Sequence, residues 1–101
     1  MSEAGERINL ASQLVEGKRN VLFFHAPWSK TSSRYKVELE RWQKTHEDTA
    51  VLLVNVKTLK SPVAKQFQLQ SVPTFAIYDA EGTLQESGQK AHNEVVKMLK
   101  E

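Results

Sequence analysis

Two stretches of the chain are apolar almost without interruption, Val21 to His25 and Val51 to Val56. Short runs rich in β-branched and long apolar residues read as strands covered on both faces, and both are expected to lie centrally in a sheet. Between them the period changes. Over Ser32 to Thr45, Tyr35, Leu39 and Trp42 fall at i, i+4 and i+7, while Arg34, Lys36, Glu38, Glu40 and Arg41 take the other faces. That spacing predicts an amphipathic helix. A strand–helix–strand crossover of this length joins parallel strands in the right-handed sense.

The second half alternates differently. Ser61-Pro62 is a helix start, with the serine as N-cap and the proline at the first helical position, and Val63, Phe67 and Leu69 facing inward. Pro73 precedes the strand Thr74 to Tyr78. Asp79-Ala80-Glu81-Gly82 has turn composition, and Thr83 to Glu86 returns as an edge strand, which completes a hairpin. After Gly88, His92 to Lys100 sets Val95, Val96 and Leu99 on one face with Met98 beside it, a closing helix. Ile8 to Val15 is expected to hold a short strand and a short helix. The order is a βαβ half, a connecting helix and a ββα half. Such an order gives an α/β fold with a mixed sheet covered by helices on both faces.

Composition narrows the chemistry more than the architecture. The 101 residues suit one domain over 1–101. Fourteen Lys and Arg against twelve Asp and Glu leave a net charge of +2 with no basic stripe, so nucleic acid is not an expected partner. The longest apolar run is far short of a bilayer span, and Met1 to Glu6 lacks the basic and apolar regions of a signal peptide. No membrane association is expected, and the cytoplasm is the default location. There is no cysteine at all. That excludes disulfides, thiolate metal sites and thiol chemistry in this chain. No cofactor is called for.

The segment Phe24-His25-Ala26-Pro27-Trp28-Ser29-Lys30-Thr31-Ser32 resembles the active-site segment of the thioredoxin family, in which an apolar strand leads to Ala-Pro-Trp-Cys-x-x-Cys at the head of a helix. Serine stands at both cysteine positions. Ser71-Val72-Pro73-Thr74-Phe75 is similar to the family's cis-proline loop, and Val54-Asn55-Val56 with Ala64-Lys65-Gln66-Phe67 parallels the strand and helix before that loop. The resemblance spans roughly residues 19 to 100 and implies a thioredoxin fold. It also implies what is missing. In the family the first cysteine, at a helix N-terminus, attacks a disulfide as its thiolate and the second resolves the mixed disulfide. Here those positions are Ser29 and Ser32, and no hydroxyl performs thiol–disulfide exchange. By the same alignment the family's buried acid falls at Phe23 and its helix proline at Val37.

Several readings of these residues stand side by side. Ser29 and Ser32 are natural replacements in a non-catalytic relative, or replacements of an oxidoreductase's two cysteines; in either case Ser32 or Thr31 is expected to cap the helix. A Ser–His hydrolase pair with His25 lacks an orienting acid and a Gly-x-Ser-x-Gly elbow, so His25 is expected to pack near Trp28. His25, His46 and His92 lack paired ligand spacing, and no metal site is expected. The resemblance places a shallow groove at Trp28, Ser29, Val72, Pro73 and Thr74, fit for a protein or an extended peptide, on a chain expected to be a monomer. Against that stand a Trp28 packed back on its own domain and a Pro73 that serves only the loop. Trp42, spaced with Leu39 and Tyr35, is expected in the core.

Overall fold

The computed structural model describes residues 5–100, which form four strands and four helices. In chain order these are α1 (Leu10–Gln13), β1 (Arg19–His25), α2 (Lys30–Gln43), β2 (Thr49–Asn55), α3 (Pro62–Gln66), β3 (Thr74–Tyr78), β4 (Leu84–Ser87) and α4 (Gly88–Leu99). The sheet order is β2-β1-β3-β4. β1 pairs parallel with β2 in the register Val21 with Val51, and antiparallel with β3 in the register Phe24 with Thr74. The βαβ and ββα halves are therefore as the sequence pattern predicts.

Alternation along β1 separates two cores. Val21 and Phe23 face Leu39 and Trp42 of α2, Phe75 and Ile77 of β3, and Ala91, Val95 and Met98 of α4. Leu22 and Phe24 point the other way, onto Val56, Val63, Ala76 and Tyr78. Burial on both faces is what makes β1 read as an unbroken apolar run.

Four expectations are corrected. β2 is apolar yet lies at one edge of the sheet among the described residues; Val51 packs against one core and Leu52 and Val54 against the other, while Leu53 is 39 % exposed. The Gln43 side chain blunts that edge, donating to Thr49 O at 2.6 Å and accepting from Val51 N–H at 2.6 Å. No strand forms over Ile8 to Val15, and only the single turn of α1 does. The Gln66 amide takes the place of a strand partner there, accepting from Ile8 N–H at 2.9 Å and donating to Ile8 O at 2.7 Å. α4 begins at Gly88, before His92, and its buried stripe is Ala91, Val95 and Met98, with Val96 and Leu99 half-buried on its flank. The returning strand is displaced by one residue, to Leu84–Ser87.

Candidate functional site

β1 and β3 are antiparallel neighbours, so the end of β1 and the start of β3 meet at one end of the sheet. From that end of β1 the chain passes through Ala26, Pro27 and Trp28 to Ser29, while Val72, Pro73 and Thr74 lead into β3 beside it. The five candidate positions therefore lie on two chain segments at the same end of the sheet, with Thr74 the first residue of β3. The Val72–Pro73 bond is cis, as the resemblance implies. Thr74 Oγ1 donates to Ser71 O at 2.6 Å and ties the loop to its own base.

The helix cap differs from expectation. Ser29, not Ser32 or Thr31, is the N-cap of α2, and its extended backbone lets its hydroxyl oxygen accept from Ser32 N–H at 3.1 Å. Ser32 thus occupies the first turn, fully buried, and its Oγ has no hydrogen-bond partner among the described residues. A buried hydroxyl without a partner carries a desolvation penalty of roughly 1–3 kcal/mol. Opposite effects should follow three residues apart. Ser32→Ala is expected to raise stability by about 1 kcal/mol, and Ser29→Ala to lower it by about 1 kcal/mol through loss of the cap, both read from urea unfolding.

Trp28 combines exposure with fixation. Its side chain is 57 % exposed, yet its indole Nε1–H donates to Lys57 O at 2.7 Å. Lys57 presents that carbonyl from a left-handed backbone conformation, φ 65°, held by a 2.9 Å bond from its N–H to Asn55 Oδ1. Lys57 is the residue the sequence reading missed. It acts through a main-chain oxygen, which leaves no side-chain signature.

The histidines separate. His25 stacks on Phe23 at 5.3 Å, His46 lies flat on Trp42 at 4.0 Å, and His92 meets Tyr35 edge-on at 5.6 Å. Among the described residues no three His, Asp or Glu side chains gather, and no hydrogen bond joins His25 to either serine. Among the described residues no base accepts from the Ser29 hydroxyl, whose oxygen caps α2. Trp42 lies in the core, 9 % exposed, as its spacing predicts, and among the described residues its Nε1–H has no acceptor.

Burial, and next the Lys36 ammonium, hold His25 below its ordinary pKa of 6.5 against the opposing pull of Glu40. A lowered folded value makes the neutral ring favour the native state above pH 6.5, and that stability is lost as pH falls through the folded value. His25→Gln should therefore flatten the decline in urea midpoint between pH 7 and pH 5. An unchanged slope would mean that His25 titrates alike in both states.

No protein-family model matches the chain, and no curated protein does. Solved structures do. Thioredoxin f2 of Chlamydomonas reinhardtii superposes with a TM-score of 0.67 at 17% identity, covering 94% of each chain. The chain has the thioredoxin fold. Thioredoxin-2 of the malaria parasite, described as a component of its protein secretion machinery, gives 0.65 at 20% identity over 100% of this chain and 99% of its own. Oxidised mitochondrial thioredoxin 3 of Saccharomyces cerevisiae gives 0.63 at 21%, covering 92% and 85%. Within this thioredoxin fold the site has no sulfur, since the chain holds no cysteine. Thiol–disulfide exchange is therefore outside its chemistry. Among the described residues no helix is long and apolar enough to cross a membrane.

Proposed function

We propose that this chain is a non-catalytic binding module that engages a protein, through an extended segment, at the groove of Trp28, Ser29, Val72, Pro73 and Thr74. The observation that carries this reading is Trp28, an exposed indole whose orientation is fixed by the 2.7 Å bond to Lys57 O. A large aromatic surface that has little freedom left to lose is well suited to anchor a partner. Peptides selected from a random library against the chain test it. Replacement by Trp28→Ala is expected to weaken the selected peptides by more than about tenfold, a loss of ~1.4 kcal/mol or more, while urea stability changes little. Equal binding by the variant would sink the reading.

A second reading keeps the same groove but takes the two serines as replacements in a thiol–disulfide oxidoreductase or its close homologue. The orphaned Ser32 Oγ favours it, because a fully buried slot without a hydrogen-bond partner suits a sulfur better than a hydroxyl. The codons at positions 29 and 32 of the natural gene separate the two, and cysteine at both would overturn the first.

A further inference from the structure

The net charge of +2 conceals an uneven distribution. Residues 17–37 and 49–78 contain no Asp or Glu, yet hold eight of the fourteen Lys and Arg. The fold turns this into a polarity along the strands. β1 and β2 run together and β3 against them, so the loops that enter β1 and β2 and leave β3 meet at the end of the sheet opposite Trp28. Those loops carry Glu16, Glu47, Asp48, Asp79 and Glu81, against Lys18, Lys44 and, at the start of β1, Arg19.

At the Trp28 end the sign reverses. Lys30 follows the Ser29 cap, and Lys57 is the residue whose carbonyl holds the indole. The charge continues beyond Lys57. A Cβ on Gly5 would lie 3.2 Å from Lys57 Cβ and 3.4 Å from Ser61 Cβ, so the chain about Gly5 packs against both Lys57 and the start of α3. Arg7, Lys60 and Lys65 then line a cleft of about 480 Å³ with Pro62 and Gln66. No Asp or Glu lines it; exposed Glu6 is the nearest acid along the chain. All five cations are exposed, and among the described residues the one ion pair, Arg34 with Glu38 at 3.9 Å, involves none of them. Like charges gathered on one surface repel one another, and an anionic partner relieves that repulsion.

We propose that the segment bound at the Trp28 groove is acidic, an extended peptide whose apolar residue covers the indole and whose Asp and Glu side chains reach Lys57 and the cleft of Arg7, Lys60 and Lys65. This rests on the groove reading above and adds the partner's chemistry to it. A single-stranded nucleic acid fits the same surface less well, because it stacks successive bases on several aromatic rings. Trp28 is the one aromatic among the exposed large apolar side chains of the described residues. Charge placed beside a single anchor also steers an acidic chain toward it and rejects a basic one.

Two peptides titrated into the ¹⁵N-labelled full chain provide the test, acetyl-Glu-Glu-Phe-Glu-Glu-amide and its twin acetyl-Gln-Gln-Phe-Gln-Gln-amide, with the Trp28 indole N–H as reporter. The acidic peptide is expected to bind about tenfold more tightly than its twin in about 0.1 M salt and less than about threefold more tightly in about 1 M salt, where the screening length falls from about 10 Å to about 3 Å. Lys60→Glu with Lys65→Glu, both at exposed positions, should make the two peptides equal while the glutamine twin still shifts the indole. Lys60→Gln with Lys65→Gln should narrow the difference severalfold. Equal binding of the two peptides to the unaltered chain, or no shift by the acidic one, would overturn the acidic partner and leave the groove reading to its library test. Binding of both peptides undiminished by Trp28→Ala would remove the groove, and this proposal with it. Tighter binding of an oligothymidylate than of the acidic peptide would assign the surface to nucleic acid and overturn the proposal.

Discussion

Changing Ser29 and Ser32 together to cysteine is expected to create an internal disulfide and, on its reduction, a measurable rate of insulin-disulfide reduction in a chain that has no thiol. The two side chains are one helical turn apart, with Ser29 Oγ 3.1 Å from Ser32 N. Positions i and i+3 of a helix place their Cβ atoms about 5–6 Å apart, and a disulfide requires about 3.5–4.5 Å, so a small closure at the non-helical N-cap completes the bond. Oxidised glutathione, added as oxidant, takes up the two electrons while both thiols lose their protons. The two sulfurs should differ. A thiol at position 29 gains the N–H groups and dipole of α2, which lower its pKa and favour the attacking thiolate. At position 32 the side chain is fully buried, so a single Ser32→Cys should react with Ellman's reagent only after unfolding. Two thiols that both titrate freely in the folded, oxidant-treated double variant would show that the alignment with the redox motif fails.

What the residues disclosed, and what they hid, divides by range. The βαβ and ββα order was legible because each element has its own local period, and Ser61-Pro62 marked α3 because cap chemistry is local: Ser61 Oγ accepts from Ala64 N–H at 3.3 Å. The Val72–Pro73 loop was legible through its resemblance alone. The start of α2 was not, because Ser29, Thr31, Ser32 and Ser33 all offer a capping hydroxyl within five residues. What decides among them is where β1 ends, and Ser29 N–H bonds to Ala26 O at 3.1 Å in the turn that follows it. The edge position of β2 is a property of the whole sheet and leaves no mark on a strand whose Val51, Leu52 and Val54 pack toward the cores on its two faces. Lys57 acts through its carbonyl, which leaves no contiguous pattern to read.

Phe23→Ala is expected to lower stability by about 3–5 kcal/mol, a large share of the ~5–15 kcal/mol that holds a domain of this size. Phe23 is fully buried in the middle of β1, stacked on Phe75 at 5.1 Å and on His25 at 5.3 Å. Truncation removes both stacking partners' contacts and leaves a cavity between β1, β3 and α2 that rigid strands cannot close. At a urea dependence of about 1–3 kcal/mol per molar, the midpoint should fall by more than about 1 M. Phe23→Leu, which keeps most of the volume, should cost far less, and that contrast separates packing from any change of backbone. The same position is where the resembled redox family carries a buried acid. Phe23→Asp would set a carboxylate among Val21, Leu39 and Phe75, with the His25 ring as the titratable group beside it. Its expected outcome is a chain that does not fold at neutral pH. A folded, stable Phe23→Asp would mean that this interior still accommodates the proton-transfer group of an oxidoreductase. Its failure would show that this apolar interior does not accept a carboxylate.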